Sequence, residues 1–211
     1  MIEQVIKFFV VFFVVVEPLS LAPIFAGLTD GASDAYKRKM SLKAAIVAIA
    51  IMTLFALTGA AFLRTMGISI DAFRIFGGLL LFLMALEMVF ARESGTRTSS
   101  DEQAESKRRE DISVFPLAFP LLAGPGALTT ILLWFGPVLV TEQPVLFAGL
   151  IAAAIAVILL ALLMMRLSGP VMRVMGVTGA NVTNRLLGVV LGALSVQFML
   201  DGVRAAFNLG G

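Results

Sequence analysis

The sequence predicts an all-α integral membrane protein with six transmembrane helices, arranged as two inverted three-helix repeats in which helices one and four are discontinuous. Three observations lead to this prediction. Apolar residues make up 59% of the 211 residues and charged residues only 14%, a balance outside that of water-soluble domains. The apolar residues form long runs, and pairs of prolines recur near the middle of two of these runs.

Six apolar runs are long enough to cross the roughly 30 Å hydrocarbon core of a bilayer. Backbone groups in lipid need internal hydrogen bonds, and the runs lack the alternating pattern of a barrel strand, so each is expected to be a helix. The first run is too long for a signal peptide and lacks a cleavage motif. The six predicted spans are residues 5–28, 43–63, 73–91, 114–140, 145–166 and 185–207.

Basic residues are distributed unevenly over the connections between these spans. Twelve of the 16 Lys and Arg residues lie in or beside the connections after spans one, three and five. Because cytoplasmic loops carry the excess of basic residues, these connections are expected in the cytoplasm and both termini in the periplasm. The chain has no Cys and no His, which excludes disulfides, thiolate or imidazole metal ligands and histidine proton relays.

The two halves of the chain resemble each other. Arg74-Ile-Phe-Gly77 opens span three in the way that Arg185-Leu-Leu-Gly188 opens span six. Since three is an odd number of spans, a second copy enters the membrane from the opposite side, which is the inverted repeat of many secondary transporters. We therefore predict repeat one at residues 1–91, a solvated polar linker at residues 92–113 in the cytoplasm, and repeat two at residues 114–211.

Proline pairs mark the two spans that we expect to be broken. Pro18 and Pro23 in span one have the same five-residue spacing as Pro120 and Pro125 in span four. Proline removes a backbone donor and clashes one turn back, so each pair indicates either a packed kink or a true interruption. In span one we expect the second half-helix to begin at Pro23, and in span four Gly124-Pro125-Gly126 strengthens the prediction of a break.

Two such breaks create a binding site for a small zwitterion. The half-helix N-termini present unpaired N–H groups and a positive dipole end to a carboxylate, while freed carbonyls accept from an ammonium group or hold a cation. Glu17 lies roughly 18 Å along a helix that starts near Val5. Its alternatives are a protonated carboxyl bonded to a neighbouring helix, or a site for a proton, a cation or a substrate amine.

Polar side chains elsewhere in the spans complete the predicted site. Hydroxyl or amide groups within spans four and six either line a pathway or bond between helices. Span five has no polar residue between Val145 and Met165, so we expect it to face lipid. No catalytic or metal-binding residues are predicted, and Glu17 is also the predicted ion-coupling residue. The predicted substrate-binding residues are Glu17, Pro18, Ser20, Pro23, Gly124, Pro125, Gly126, Thr129, Thr130 and Gln197.

Three segments resemble the MarC family of bacterial inner-membrane proteins. They are Pro18 to Phe25, Ala72 to Phe82 and, as the most specific, Phe115-Pro-Leu-Ala-Phe-Pro-Leu-Leu-Ala-Gly-Pro-Gly-Ala127. The resemblance covers nearly everything outside residues 92–111. It implies six spans with both termini periplasmic and, for SnatA-like members, transport of small neutral amino acids. The family commonly has Asp-Pro followed two residues later by glycine, where this chain has Glu17-Pro18 and Ser20.

The function that the sequence favours is secondary transport of a small neutral amino acid, of the glycine, alanine or serine type, by alternating access at a midplane site in the bacterial inner membrane. No cofactor is predicted beyond a coupling ion, either a proton or Na⁺. The expected partners are the lipid bilayer and a small-molecule substrate, with no nucleic acid, and an oligomer is compatible with the glycine faces. A passive channel or a structural membrane protein is the alternative. An intramembrane enzyme is disfavoured because the charged residues are scattered.

Overall fold

The computed structural model describes residues 1–90, 111–138 and 140–207, so most of the predicted polar linker lies outside the described residues. Every regular element within these ranges is a helix. The fifth is irregular and the last is kinked. The helices are α1 (Ile2–Val16), α2 (Pro18–Leu28), α3 (Asp34–Thr65), α4 (Ile70–Phe90), α5 (Ser113–Leu122), α6 (Pro125–Phe135), α7 (Pro144–Arg166) and α8 (Ser168–Ala206).

Five helical stretches in the described ranges are long and apolar enough to cross a membrane. A sixth span results if α5 and α6, which meet at a bend of 55°, are counted together. The expected all-α, multi-pass membrane architecture is thereby confirmed. The five stretches are Ile2–Leu28, Asp34–Thr65, Ile70–Phe90, Pro144–Arg166 and Asn181–Ala206.

The α3 helix is longer than the apolar run that predicts it. It begins nine residues before residue 43, because Ser33 caps the helix and its hydroxyl accepts from the Tyr36 N–H at 3.3 Å. The first turns are therefore a charged extension of the apolar helix. At the other end the helix stops before Gly67, whose φ of 71° is left-handed.

Aromatic packing joins α1 to α6 and α7. The Phe8 ring stacks on Phe12 with centroids 5.2 Å apart and meets Trp134 edge-on at 5.7 Å. Phe135 in turn meets Phe147 edge-on at 5.0 Å. Such pairs add about 0.5–1.5 kcal/mol each beyond the burial of apolar area. They hold α1, the helix that leads into the first break, against the second half of the chain.

The prediction that span five faces lipid holds for only part of α7, because one side of the helix is buried in the bundle. Half of its most apolar window is buried, against 28% for α3 and α4 and 22% for the span in α8. Its buried face includes Ala154, Val157 and Ala161, and the helix packs against α1, α2 and α3. Small residues let helices approach closely in a membrane. Lipid and protein interior are equally apolar, so the absence of polar residues did not distinguish them.

Glycines bring α4 and α8 into close contact. A Cβ on Gly78 would lie 2.8 Å from the Ser195 carbonyl oxygen, and one on Gly188 would lie 3.1 Å from the Ala85 carbonyl oxygen. Gly188, near the start of span six, therefore packs against α4. Nearer its start, α8 kinks at Gly176, where φ is 60°.

A polar contact ties the chain before α5 to α3. The Lys43 ammonium donates to Asp111 Oδ2 at 2.5 Å, and the Ser113 N–H and hydroxyl donate to Asp111 Oδ1 at 2.9 and 2.5 Å. The Lys43 hydrogen bond, supported by those from Ser113, holds the pKa of the Asp111 carboxyl well below its usual range. This contact fixes where the segment leading to the second break enters the bundle.

Candidate functional site

The first break in the helices lies at Glu17. Helix α1 ends at Val16, the Glu17 N–H still donates to the Phe13 carbonyl at 3.0 Å, and α2 starts at Pro18. Glu17 has φ 50° and ψ 61°, and it is the only non-glycine residue with positive φ in the described ranges. The left-handed conformation costs a residue with a side chain roughly 1–2 kcal/mol. Outliers of this kind cluster at binding sites.

The second half-helix begins at Pro18 and not at Pro23, as the sequence analysis expected. A proline restricts the residue before it, and it suits the first position of a helix because it needs no partner for an N–H. Pro18 therefore both ends α1 and opens α2. Pro23 lies inside α2, which continues to Leu28. At Glu17 the chain leaves right-handed helical geometry directly before the first proline, and α2 accommodates the second.

The residues after this break are buried and connected to α8. Glu17 is 1% exposed and Ser20 is 6% exposed. The Ser20 hydroxyl donates a hydrogen bond to Asn184 Oδ1 across 164 positions of sequence. Asn184 is not among the predicted site residues. The only signal for it in the sequence is its place as a polar residue directly before the sixth predicted span.

The second break lies between α5 and α6. Within α5, Phe115 and Phe119 have extended backbone angles, with φ of −126° and −131°, each directly before a proline. Gly124 is extended and Pro125 is the first residue of α6. A Cβ on Gly124 would lie 2.2 Å from the Pro120 carbonyl oxygen. Only glycine therefore permits this approach of the backbone to itself.

The start of α6 presents backbone donors. The Leu128 N–H donates to the Gly124 carbonyl at 3.0 Å and is the first hydrogen bond of the helix. Pro125 has no N–H, and no side chain caps the helix. The N–H groups of Gly126 and Ala127 precede that first bond and so have no partner within α6. Both residues are buried, and these donors lie at the positive end of the helix dipole.

The two breaks are neighbours in space. A narrow pocket with a cavity volume of about 10 Å³ is lined by Val15 from the end of α1, Met84 from α4 and residues 120–122 and 124–127. A Cβ on Gly126 would lie 2.6 Å from Met84 Sδ and 3.2 Å from Val15 Cγ1. Val15 stands two residues before Glu17. The pocket thus lies beside the first break and is walled by the second.

The predicted site residues fall into three places. Gly124, Pro125 and Gly126 line this pocket. Glu17, Pro18, Ser20 and Pro23 lie at the first break but are not among the residues that line the pocket in this conformation. The remaining three, Thr129, Thr130 and Gln197, are placed by α6 and α8.

The two threonines serve the packing of α6. The Thr130 hydroxyl donates to the Gly126 carbonyl at 2.8 Å. The Thr129 methyl group packs on α4, where a Cβ on Gly77 would lie 2.4 Å from it. Both residues are buried next to the break. The hydrogen bond of Thr130 occupies one of the carbonyls in the first turn of α6.

Gln197 lies apart from both breaks. Its side chain is exposed, and its amide donates to Asp201 Oδ1 at 2.8 Å on the same helix. At 1.5 Å per residue it is about 20 Å along α8 from Asn184. The polar residue of α8 that reaches the first break is therefore Asn184. The central position of Gln197 in its span gave no information about which way the side chain points.

Comparisons with known proteins agree on one description. A family model described as MarC family integral membrane protein matches residues 2–207. A UPF0056 membrane protein of Aquifex aeolicus is 36% identical over 94% of this chain and 92% of its own length. The UPF0056 membrane protein YhcE of Escherichia coli is 32% identical over 95% and 92%. One from Archaeoglobus fulgidus is 34% identical over 92% and 90%. No solved structure matches the chain.

Proposed function

Because the chain belongs to the MarC family of integral membrane proteins, we propose that it is a secondary transporter of small neutral amino acids such as glycine, alanine and serine. The observation that carries the proposal is that a pocket walled by the second proline-marked break is also lined by Val15, two residues before the first break. Non-helical backbone at membrane depth is tolerated where it lines a cavity. Transporters use such discontinuous helices to bind substrates near the midplane.

The second break is the proposed carboxylate site. The N–H groups of Gly126 and Ala127, at the N-terminus of α6, suit an anion because the donors and the helix dipole act together. In this conformation Pro120 packs against Gly124, and Met84 and Val15 pack against Gly126. Val15 and Met84 close the pocket with apolar walls. In this conformation the cavity volume is only about 10 Å³, so the pocket would have to widen for a substrate when the half-helices move.

The first break is the proposed amine and ion-coupling site. The Glu17 side chain is buried, and an ionisable residue inside a membrane helix marks a functional site by default. The carboxylate can accept from a substrate ammonium group or carry a coupling proton or Na⁺. Ser20 and its partner Asn184 stand one helical turn further on and tie this end of the site to α8.

The proposed mechanism is alternating access between two inverted repeats, residues 1–91 and residues 114–211. The half-helices of span one and span four would each turn about their break, so that the pocket opens to one side and then to the other. The charge distribution supports a bacterial inner-membrane protein with both termini in the periplasm. Close glycine packing of α4 on α8 supports one rigid pair of helices against which the broken spans move.

Transport assays in vesicles test the proposal. The purified protein is reconstituted, and uptake of labelled glycine, alanine and serine is measured with and without a proton or sodium gradient. Wild type is expected to show saturable uptake that one of the gradients stimulates. Glu17→Gln is expected to lose the stimulation, while Glu142→Gln, which makes the same change in the exposed α6–α7 connection, is expected to keep it.

Each outcome decides a separate part of the proposal. If none of the three amino acids is moved under any gradient, the assignment to amino acids fails. If Glu17→Gln keeps full gradient-driven uptake, the coupling role of Glu17 fails while transport stands. Uptake that does not saturate would indicate a passive channel.

A further inference from the structure

A second pocket lies at the opposite end of the helices from the chain start, where α2 and α7 end and α3 and α8 begin. Its cavity volume is about 290 Å³. Its floor includes Phe25 and Met165, which are fully buried, and its rim includes Lys37, Arg38 and Arg166. This pocket shares no residue with the one at the helix breaks.

The rim of this pocket is positively charged. Three basic side chains face it, and Asp34 is the one acidic residue that lines it. Lys37, Arg38 and Arg166 have no ion pair within the ranges that the structure describes. Elsewhere in those ranges, Lys7, Lys43 and Arg74 each pair with an acidic residue. The rim therefore has excess positive charge that an anionic ligand would neutralise.

The depth of the pocket matches the level of lipid headgroups. The floor residues belong to apolar spans, and the rim residues stand at helix ends where the chain becomes charged. The first N–H groups of α8 also open here, since no side chain caps that helix. Guanidinium groups bind phosphate through two parallel hydrogen bonds, and an ammonium group adds a point charge. Basic pockets between membrane helices bind anionic headgroups on this pattern.

We propose that this pocket binds a phosphate-bearing anion through Lys37, Arg38 and Arg166, either the phosphodiester of an anionic lipid or a free phosphate compound. The ligand would link the start of α3 to the end of α7 and the start of α8. These are the helices that flank the proposed moving parts. Occupancy would therefore stabilise the folded bundle whether or not the chain transports amino acids.

The test measures thermal unfolding of the full chain in a neutral detergent. The protein is titrated with phosphatidylglycerol, with phosphatidylcholine of the same acyl chains, and with glycerol 3-phosphate. Phosphatidylglycerol is expected to raise Tm in a saturable way, and phosphatidylcholine is not. In the variant Lys37→Gln/Arg38→Gln/Arg166→Gln the apparent Kd is expected to rise on the order of 100-fold, which corresponds to roughly 5-fold for each lost charge.

A matched variant controls for net charge. Lys39→Gln/Arg64→Gln/Arg204→Gln removes three exposed basic residues that do not line the pocket, and it is expected to bind phosphatidylglycerol as wild type does. Should the triple pocket variant not fold, Arg166→Gln alone is expected to weaken binding roughly 5-fold, and Arg166→Lys to weaken it less.

Three results overturn the proposal. They are equal stabilisation by phosphatidylcholine, undiminished binding of phosphatidylglycerol by the pocket variant, or an equal loss of binding in the matched control. If glycerol 3-phosphate competes with phosphatidylglycerol at similar concentrations, the phosphate alone is recognised and a free compound is the ligand. If it does not compete, the acyl chains contribute and the lipid is the ligand.

Discussion

The two helix breaks differ in what produces them. At the first break a residue with a side chain, Glu17, takes the left-handed conformation, and α2 follows without a gap. At the second, Phe115 and Phe119 are extended, and Gly124 lies against the Pro120 carbonyl before α6 begins. The first break carries a buried carboxyl group. The described residues of the second, from Ser113 to Gly126, carry no ionisable side chain.

The two breaks are therefore expected to play different roles, one functional and one structural. The second break depends on a position where no side chain fits, so changes there act on the fold. The first depends on a conformation that other residues adopt as well or better, so changes there are expected to act on function. Substitutions at the second break should therefore lower stability, while substitutions at the first should impair transport and leave stability nearly unchanged.

The largest effect is expected from Gly124→Ala. The added methyl group would lie 2.2 Å from the Pro120 carbonyl oxygen, and relief requires moving the backbone at the break. We expect a loss of stability of about 3 kcal/mol or more, or no folded protein. Thermal unfolding and elution from a sizing column in detergent measure this.

The control for that change is Gly27→Ala. Gly27 lies in α2 with nothing within 4 Å of an added Cβ, so the change is expected to be neutral or to stabilise by up to about 1 kcal/mol. Equal unfolding temperatures for Gly124→Ala and wild type would show that close backbone contact does not determine the second break.

Glu17→Gly is expected to separate stability from transport. Glycine adopts the left-handed conformation at no steric cost, so the break at Pro18 should persist and Tm should stay within a few degrees of wild type. Gradient-driven uptake should be lost with the carboxyl group. Paired measurements of Tm and uptake on one preparation check both. A collapse of Tm would instead mean that the Glu17 side chain holds the first break together, and the contrast between the two breaks would fail.

A smaller effect is expected at the hydrogen bond between Ser20 and Asn184. Removing either partner leaves the other without its hydrogen bond, which costs about 0.5–1.5 kcal/mol in a membrane protein. In a double-mutant cycle of Ser20→Ala and Asn184→Ala, the two changes should be less than additive by a similar amount. Thr58→Ala, which removes an exposed hydroxyl bonded within its own helix, should change stability very little. Full additivity would show that the first break is not coupled to α8.

The sequence predicted where the helical spans lie better than it predicted which helices pack against each other. Apolar length depends on local physics, and the helical spans followed from it. The start of the second half-helix at Pro18, the burial of α7 and the contact of Ser20 with Asn184 did not. Each of these depends on which face of a helix meets another helix. In a chain whose lipid-facing and protein-facing residues are equally apolar, periodicity does not reveal that face.

The smallest expected effect concerns Asp111, the charged residue that anchors the chain before the second break. Its pKa is held low in the folded protein by Lys43 and Ser113, so the unfolded chain binds a proton first as the pH falls. The stabilisation is therefore complete above the unfolded pKa of about 3.9 and is lost as the pH drops below it. Both partners are almost half exposed, which limits the effect to less than about 1 kcal/mol.

Comparing Asp111→Asn with wild type isolates this contribution. At pH 7 the variant should unfold slightly below wild type, and the gap in Tm should begin to narrow near the unfolded pKa of about 3.9 and continue to close at lower pH. Lys39→Gln, an exposed change near the same end of α3, should show no such convergence. A gap that stays constant with pH would mean that the Asp111 carboxyl stabilises by shape and hydrogen bonding alone. The second break would then depend on no charged group, whereas the first break carries the buried carboxyl group of Glu17.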